Sequence, residues 1–308
     1  MIRRIAAATV AALATALATA LAMALPALAQ DFSKVEIRAE KLADTVWMLT
    51  GAGGNLALSA GADAAFLVDD QYAPLTEKIL AAVGAITPLP VRFVLNTHWH
   101  SDHTGGNENL GKAGVLVVAH DNVRKRMDSA QFIEFMRMET ARQPKAALPV
   151  LTFSADTTFH LNGDEIRAFH VPRAHTDGDA IVHFARSDVI HMGDVHWNGM
   201  YPFIDASSGG SVGGTIAAVD RALAIATHAT KIIPGHGPLA NRADLQAYRD
   251  MLATVSARIR RMIAEGKTND EIAASNVTAD FDAKWGKGYI KPAQFAGMIA
   301  ASLRKGAP

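Results

Sequence analysis

VRFVLNTHWHSDHTGGN, residues 91–107, is the stretch from which the rest of the chain is read. Val91 to Asn96 is an apolar, β-branched run of strand length and predicts a strand. Directly behind it come His98, His100, Asp102 and His103, four metal-competent side chains within six residues. In an extended loop His98 and His100 project the same way, because side chains alternate along the backbone. The next turn aims Asp102 and His103 at a point beside the first, a geometry that feeds two neighbouring metals. Thr104-Gly105-Gly106-Asn107 lets the chain turn sharply afterwards. A surface histidine cluster without metal is the plainer alternative, and three His with one Asp at this density argue against it.

Three further positions look alike. His175 lies past the strand ending at Val171, in a turn running from Pro172 to Asp179. Asp194 follows Val189–Met192 in a Gly193-Asp194 step, and His236 follows Ile232-Ile233 within Pro234-Gly235-His236-Gly237. Each occupies a turn just past a short apolar strand. Side chains from several strand ends converge at one sheet edge in many α/β proteins. Taken alone, each of the three also reads as an ordinary turn residue.

The remaining elements follow from pattern. Short strands are predicted at 45–50, 55–59 and 64–68, then a helix opened by Pro74 and closed by Gly84. Residues 115–119 are a strand followed by a polar helix from Asp121. Residues 157–171 form a hairpin around Asn162-Gly163, and 180–184, 187–191 and 231–233 are strands. Residues 216–227 are helical. From Asn241 the chain turns helical: apolar residues from Leu245 to Ile263 keep helical spacing up to Gly266, Thr268-x-x-Glu271 fits a capping box, and 292–303 fits a last helix before Gly306. Sheets in the middle with helices outside is one of few ways to bury both.

Composition bounds the function. The 308 residues carry 30 Lys plus Arg against 30 Asp plus Glu, 49% hydrophobic residues and no cysteine. That apolar fraction excludes a disordered chain. The neutral balance argues against a nucleic-acid partner, which needs a basic surface. Without cysteine there are no disulfides, thiolate metal sites or Cys nucleophile, so any metal is held by the 12 His and the carboxylates. The first 29 residues read as a signal peptide: Arg3-Arg4, an Ala-rich apolar run to Leu25, then Ala27-Leu28-Ala29. A retained membrane anchor is the alternative. Cleavage would leave a slightly acidic chain with no stable membrane association, periplasmic or secreted.

The set His98-x-His100-x-Asp102-His103, His175, Gly193-Asp194 and Gly235-His236-Gly237 resembles the metallo-β-lactamase superfamily over roughly residues 45–240. The resemblance implies an αββα sandwich for residues 30–240, with 241–308 a helical extension packed on it. It implies two zinc ions, one held by His98, His100 and His175, the other by Asp102, His103 and His236, with Asp194 bridging them. Three neutral imidazoles leave a zinc its full charge and an open position for water. Two centres roughly 3.5–4 Å apart can share a hydroxide and lower its pKa toward neutrality. Asp102 is then the candidate for returning a proton to the leaving group.

Subtype is divided. The motif without cysteine resembles one β-lactamase subclass, whereas the bridging Asp194 resembles thioesterases of the glyoxalase II type and lactonases. The segment after Asp194 is aromatic and nearly neutral, with Trp197 and Tyr201 expected as apolar pocket walls, His196 as a substrate-facing or supporting residue, and no Lys to clamp a carboxylate. Asp177 and Asp179 are candidates for orienting His175, and Trp99 is expected to point away into apolar packing. The leading expectation is a secreted dinuclear zinc hydrolase of a small-molecule cyclic amide or ester, β-lactam opening first, with lactonase or thioesterase as alternative. An iron oxidoreductase on the same scaffold and a phosphodiesterase stand further off.

Overall fold

The computed structural model describes residues 31–305. The expected signal peptide and Gly306 lie outside them. The chain divides into two units, Met1–Lys34 and Val35–Pro308. In the first, the described residues form one 3-10 turn, Phe32–Lys34; all that follows concerns the second.

Short apolar strands, β3 and β4 buried along their whole length, build the first sheet. Strands β1 (Arg38–Lys41), β2 (Val46–Thr50), β3 (Leu56–Ala60) and β4 (Ala65–Val68) pair antiparallel in sequence order. Helix α1 (Thr76–Gly84) then crosses back, and β5 (Val91–Asn96) lies parallel to β4. Two short helices, α2 (Ser101–Thr104) and α3 (Asn107–Lys112), lead to β6 (Leu116–His120), parallel to β5. Helix α4 (Asp121–Met127) is followed by a separate hairpin, β7 (Gln131–Ile133) with β8 (Met138–Thr140), before β9 (Leu151–Phe153) closes the sheet beside β6.

The second sheet runs in sequence order: β10 (Asp156–Leu161), β11 (Asp164–His170), β12 (Ala180–Phe184), β13 (Val189–His191), β14 (Lys231–Ile233) and β15 (Ala240–Asn241). Its pairs are antiparallel except β13 with β14, which α5 (Val212–Ile225) separates in sequence. Asn162 and Gly163 both take positive φ at the β10–β11 turn, as a two-residue hairpin loop requires.

One core layer lies between the sheets: Val46, Phe66, Leu95 and Val118 from the first meet Ile166, Val182, Phe184 and Ile233 from the second. A second layer covers the other face of the second sheet, where Ile181, Ile190 and Ile232 pack against α5, α6 (Arg242–Ala264) and α9 (Pro292–Lys305). Between those two helices lie α7 (Asn269–Ala273) and α8 (Ala279–Trp285). With helices outside and two sheets inside, the architecture is an αββα sandwich. Asn241 and Thr268 both form full capping boxes at the starts of α6 and α7. Helix α5 begins at Val212, four residues before the expected start, because Ser211 accepts from the Gly214 amide and caps it despite Gly213 and Gly214. Among the described residues no helix is long and apolar enough to cross a membrane.

Candidate metal centre

The strand ends deliver all seven singled-out ligand candidates to one place. The loop after β5 brings His98, His100, Asp102 and His103; the turns after β11, β13 and β14 bring His175, Asp194 and His236. Two triads form, His98/His100/His175 and Asp102/His103/His236, the candidate ligand atoms within each lying within 4.8 Å of one another. Asp194 stands between them. Its Oδ1 is 3.0 Å from His103 Nε2 and 3.3 Å from His236 Nε2; its Oδ2 is 3.7 Å from His175 Nε2 and 3.9 Å from His98 Nε2.

Each imidazole of the first triad is anchored on its far side. Thr97 Oγ1 donates to Asp69, so it accepts from His98 Nδ1 at 3.1 Å. His175 Nδ1 donates to the Phe203 carbonyl at 2.8 Å, and His100 Nε2 donates to Asp205 at 3.0 Å. The inward atoms are therefore His98 Nε2, His100 Nδ1 and His175 Nε2, each the free nitrogen of its ring. His100 Nδ1 and His175 Nε2 face each other at 2.9 Å, and two lone pairs that close require a cation between them, a proton or a metal ion. His98 Nε2 is buried without a hydrogen-bond partner, which costs free energy unless something fills the centre. Imidazole nitrogens and carboxylate oxygens that converge this closely fit a zinc donor set.

The triads differ in charge. Burial, with the positive His103 nearby, holds His98 well below the ordinary imidazole range, and burial takes His175 down to about 4. In the second triad burial opposes charge, but the carboxylates outweigh it: Asp194, Asp102 and Asp69 hold His103 high, and Asp194 with Asp102 bring His236 to about 9. Burial likewise opposes charge on Asp102, yet His103 and His236 bring it down to about 2. His98 and His175 are thus held neutral, whereas His103 and His236 form internal ion pairs with Asp102 and Asp194.

Two supporting carboxylates were not singled out from sequence. Asp69, at φ 62° just past β4, accepts from the Thr97 amide and hydroxyl and from His103 Nδ1 at 2.8 Å, so it positions both triads. Asp205 takes the His100 proton and is itself held by Ser207 and Ser208. The only sequence signal for Asp69 is its place at the end of a strand beside β5. Gly54 is required by close approach: a Cβ there would lie 2.1 Å from His103 Cε1.

Several expectations are corrected. Tyr201 is not a pocket wall; it is fully buried, donates to Asp282 at 2.8 Å and stacks on Phe295 of α9. His196 does not face substrate. Its extended backbone puts its ring on the side opposite Trp197, against Tyr248 of α6, with both ring nitrogens unpartnered. Neither Asp177 nor Asp179 accepts the ring N–H of His175: Asp177 pairs with Arg126, and Asp179 makes the turn by accepting from Thr176 and from the His175 backbone amide. Trp99 is buried in the helix-side core, as its packing role requires, yet it also borders the cavity. Trp197 does line the cavity, its ring 4.3 Å from that of His236. That cavity, about 520 Å³, opens on His100, Asp102, Asp194 and His236.

The family model of the metallo-beta-lactamase superfamily matches residues 60–236, more than half of the chain and the segment that carries both triads. The chain belongs to the metallo-beta-lactamase superfamily. A hydroxyacylglutathione hydrolase from Anaeromyxobacter dehalogenans (strain 2CP-C) is 40% identical over 74 residues, 23% of this chain and 27% of that protein. The matched segment thus spans about a quarter of that relative. Among solved structures, the DIM-1 metallo-beta-lactamase superposes with a TM-score of 0.59 at 19% identity, covering 72% of this chain and 99% of that one. A metallo-beta-lactamase from Pontibacter korlensis gives 0.57 at 21%, covering 71% and 99%. The sec-alkylsulfatase Pisa1 from Pseudomonas sp. gives 0.63 at 18%, covering 87% of this chain and 50% of that one. At these identities the likeness is one of fold.

Proposed function

We propose that the protein is a dinuclear zinc hydrolase that opens a cyclic ester or amide. The observation that carries this reading is the convergence of five imidazole nitrogens and the Asp102 carboxylate on the two sides of Asp194. His98, His100 and His175 would hold one zinc, Asp102, His103 and His236 the second, and Asp194 would contribute one oxygen to each. When bound, the two ions supply Lewis acidity for a carbonyl and a nucleophile from water near neutral pH. The chain's own residues do the rest. Asp69, Asp205 and the Phe203 carbonyl fix the imidazole tautomers. Asp102, whose side chain is 22% exposed beside His236, presents Oδ2 to the triad, and its other oxygen can receive a proton and return it to the leaving atom. Trp99 and Trp197 limit water at the cavity.

For the substrate, no Lys or Arg among the described residues lines the cavity, so the carboxylate of a β-lactam antibiotic or of a glutathione thioester would find no cationic side chain there. This favours an uncharged lactone or ester over the β-lactam that the sequence alone put first. The same reading makes residues 30–240 the hydrolase domain, 241–308 its helical extension, and the enzyme periplasmic or secreted on the strength of residues 1–29. The test is metal analysis of the purified protein, then turnover of a chromogenic cephalosporin and of γ-butyrolactone, with chelation and zinc restoration. Zinc-dependent lactone opening exceeding cephalosporin opening is expected. Bound iron, or activity unaffected by chelation, contradicts the proposal.

A further inference from the structure

Away from the candidate ligands, the cavity wall carries no formal charge. Beyond the ligands its lining holds no Lys, Arg, Asp or Glu among the described residues, and its polar groups include the Tyr72 and Tyr289 hydroxyls. Ile133, Met136, Met138, Met200 and Phe203 supply an apolar side. The first three belong to the β7–β8 hairpin, which is hydrogen-bonded as a strand to neither large sheet. Ile133 pairs with Met138 across it, and alternation turns Phe132 and Glu139 to the outer face. An isolated two-stranded hairpin is marginal by itself. This one is tied down by the Glu134 amide, which donates to Ser207 Oγ at 3.2 Å, and by Phe135 against Phe203, ring centroids 5.3 Å apart. Met136 and Met138 remain 36% and 39% exposed at the cavity, apolar surface that an occupant would cover.

We propose that the β7–β8 hairpin is the recognition element for an uncharged alkyl chain on the substrate, seated against Ile133, Met136 and Met138 while the reacting group sits at the metal triads. The inference rests on the hydrolase reading and names its substrate class: neutral lactones or esters bearing an alkyl chain. Methionine is unbranched and polarizable, so it adapts to chains of different shape. A charged tail would be desolvated there without a partner.

The test uses the zinc-loaded full chain and two series. Calorimetric binding of 1-alkanols from butanol to decanol reads the hairpin without turnover, and γ-lactones from γ-butyrolactone to γ-decalactone read it through kcat/KM. Affinity is expected to rise about fourfold per methylene, the equivalent of ~0.8 kcal/mol for each buried CH₂. Met138→Ser, and separately Met136→Ser in case the first disturbs the hairpin, should reduce that to below about twofold per methylene. Equal binding of butanol and decanol overturns the proposal, as does an undiminished gradient in both variants. If the alkanol gradient is present and flattened while no lactone is opened, the hydrolase reading fails and the recognition element stands. If γ-butyrolactone is opened without any chain-length gradient, the reverse holds.

Discussion

Replacing Asp205 by Asn exchanges one carboxylate oxygen for an amide NH₂ at a position only 1% exposed. Oδ1 accepts from the Ser207 and Ser208 amides at 3.0 and 3.1 Å; Oδ2 accepts from Ser208 Oγ at 2.5 Å and from His100 Nε2 at 3.0 Å. The amide group cannot face the two backbone N–H donors, so it takes the Oδ2 position. Ser208 Oγ can rotate to accept. His100 must then accept at Nε2 and carry its proton on Nδ1, the atom that faces His175 Nε2 at 2.9 Å. That proton makes a good hydrogen bond where two lone pairs faced each other, and it removes the lone pair intended for metal. Loss of such an orienting partner costs 10–100-fold in metal affinity, or about 1.4–2.7 kcal/mol. The metal-free fold should stay within about 1 kcal/mol of wild type, ~2–4 °C in Tm for a chain of this order of size. Chelator-competition titration of bound zinc, with melting curves in excess chelator, reads both. Asp205→Asn binding two zincs with wild-type affinity would refute the tautomer argument, and so would a metal-free protein destabilised by many degrees.

Gly54→Ala puts a Cβ 2.1–2.6 Å from the His103 ring; zinc at the Asp102/His103/His236 triad should weaken at least tenfold, by the magnitude typical of a displaced ligand environment, with the other triad affected less. Equilibrium zinc titration showing two sites as in wild type would contradict this. Asp194→Ala should weaken the second triad more than the first, because Oδ1 is 3.0–3.3 Å from its nitrogens whereas Oδ2 is 3.7–3.9 Å from those of the first; equal losses, or none, would remove the bridging assignment. His236 titrates at about 9 and His103 is also raised, so both are protonated at pH 7 and must lose those protons to bind zinc. Binding at that triad should release about two protons and strengthen as pH rises toward 9, measurable by calorimetry in buffers of different ionisation heat; zero release would show the imidazoles already neutral.

The site was legible where chemistry and sequence are contiguous. His98 to His103 follow one strand, and His175, Asp194 and His236 sit in turns that mark strand ends, so pattern made them candidates and the family resemblance joined them into one ligand set. Asp69 and Asp205 were not legible. Their partners lie 34 and 105 residues away, and Asp69 depends on a left-handed backbone that no residue preference announced. Tyr201 was misplaced because its surroundings come from α8 and α9, helices read as a packing layer without a docking position. The β7–β8 hairpin escaped because Gln131 to Thr140 contains no Gly, Pro or Asn to mark a turn, its tight corner being taken by Arg137 at φ 51°. Strand β1 is exposed along its whole length, which leaves no alternation to read.

Both triads straddle the sandwich. His98, His100, Asp102 and His103 stand on the first sheet's strand ends, whereas His175 and His236 stand on the second's. Metal held at either triad would therefore join segments 75 or more residues apart, in a chain that has no cysteine with which to do so. Such ions would act as removable cross-links: each would contribute its binding free energy to holding the two sheets together, and chelation would then cut a tie between sheets as well as emptying the proposed reaction centre.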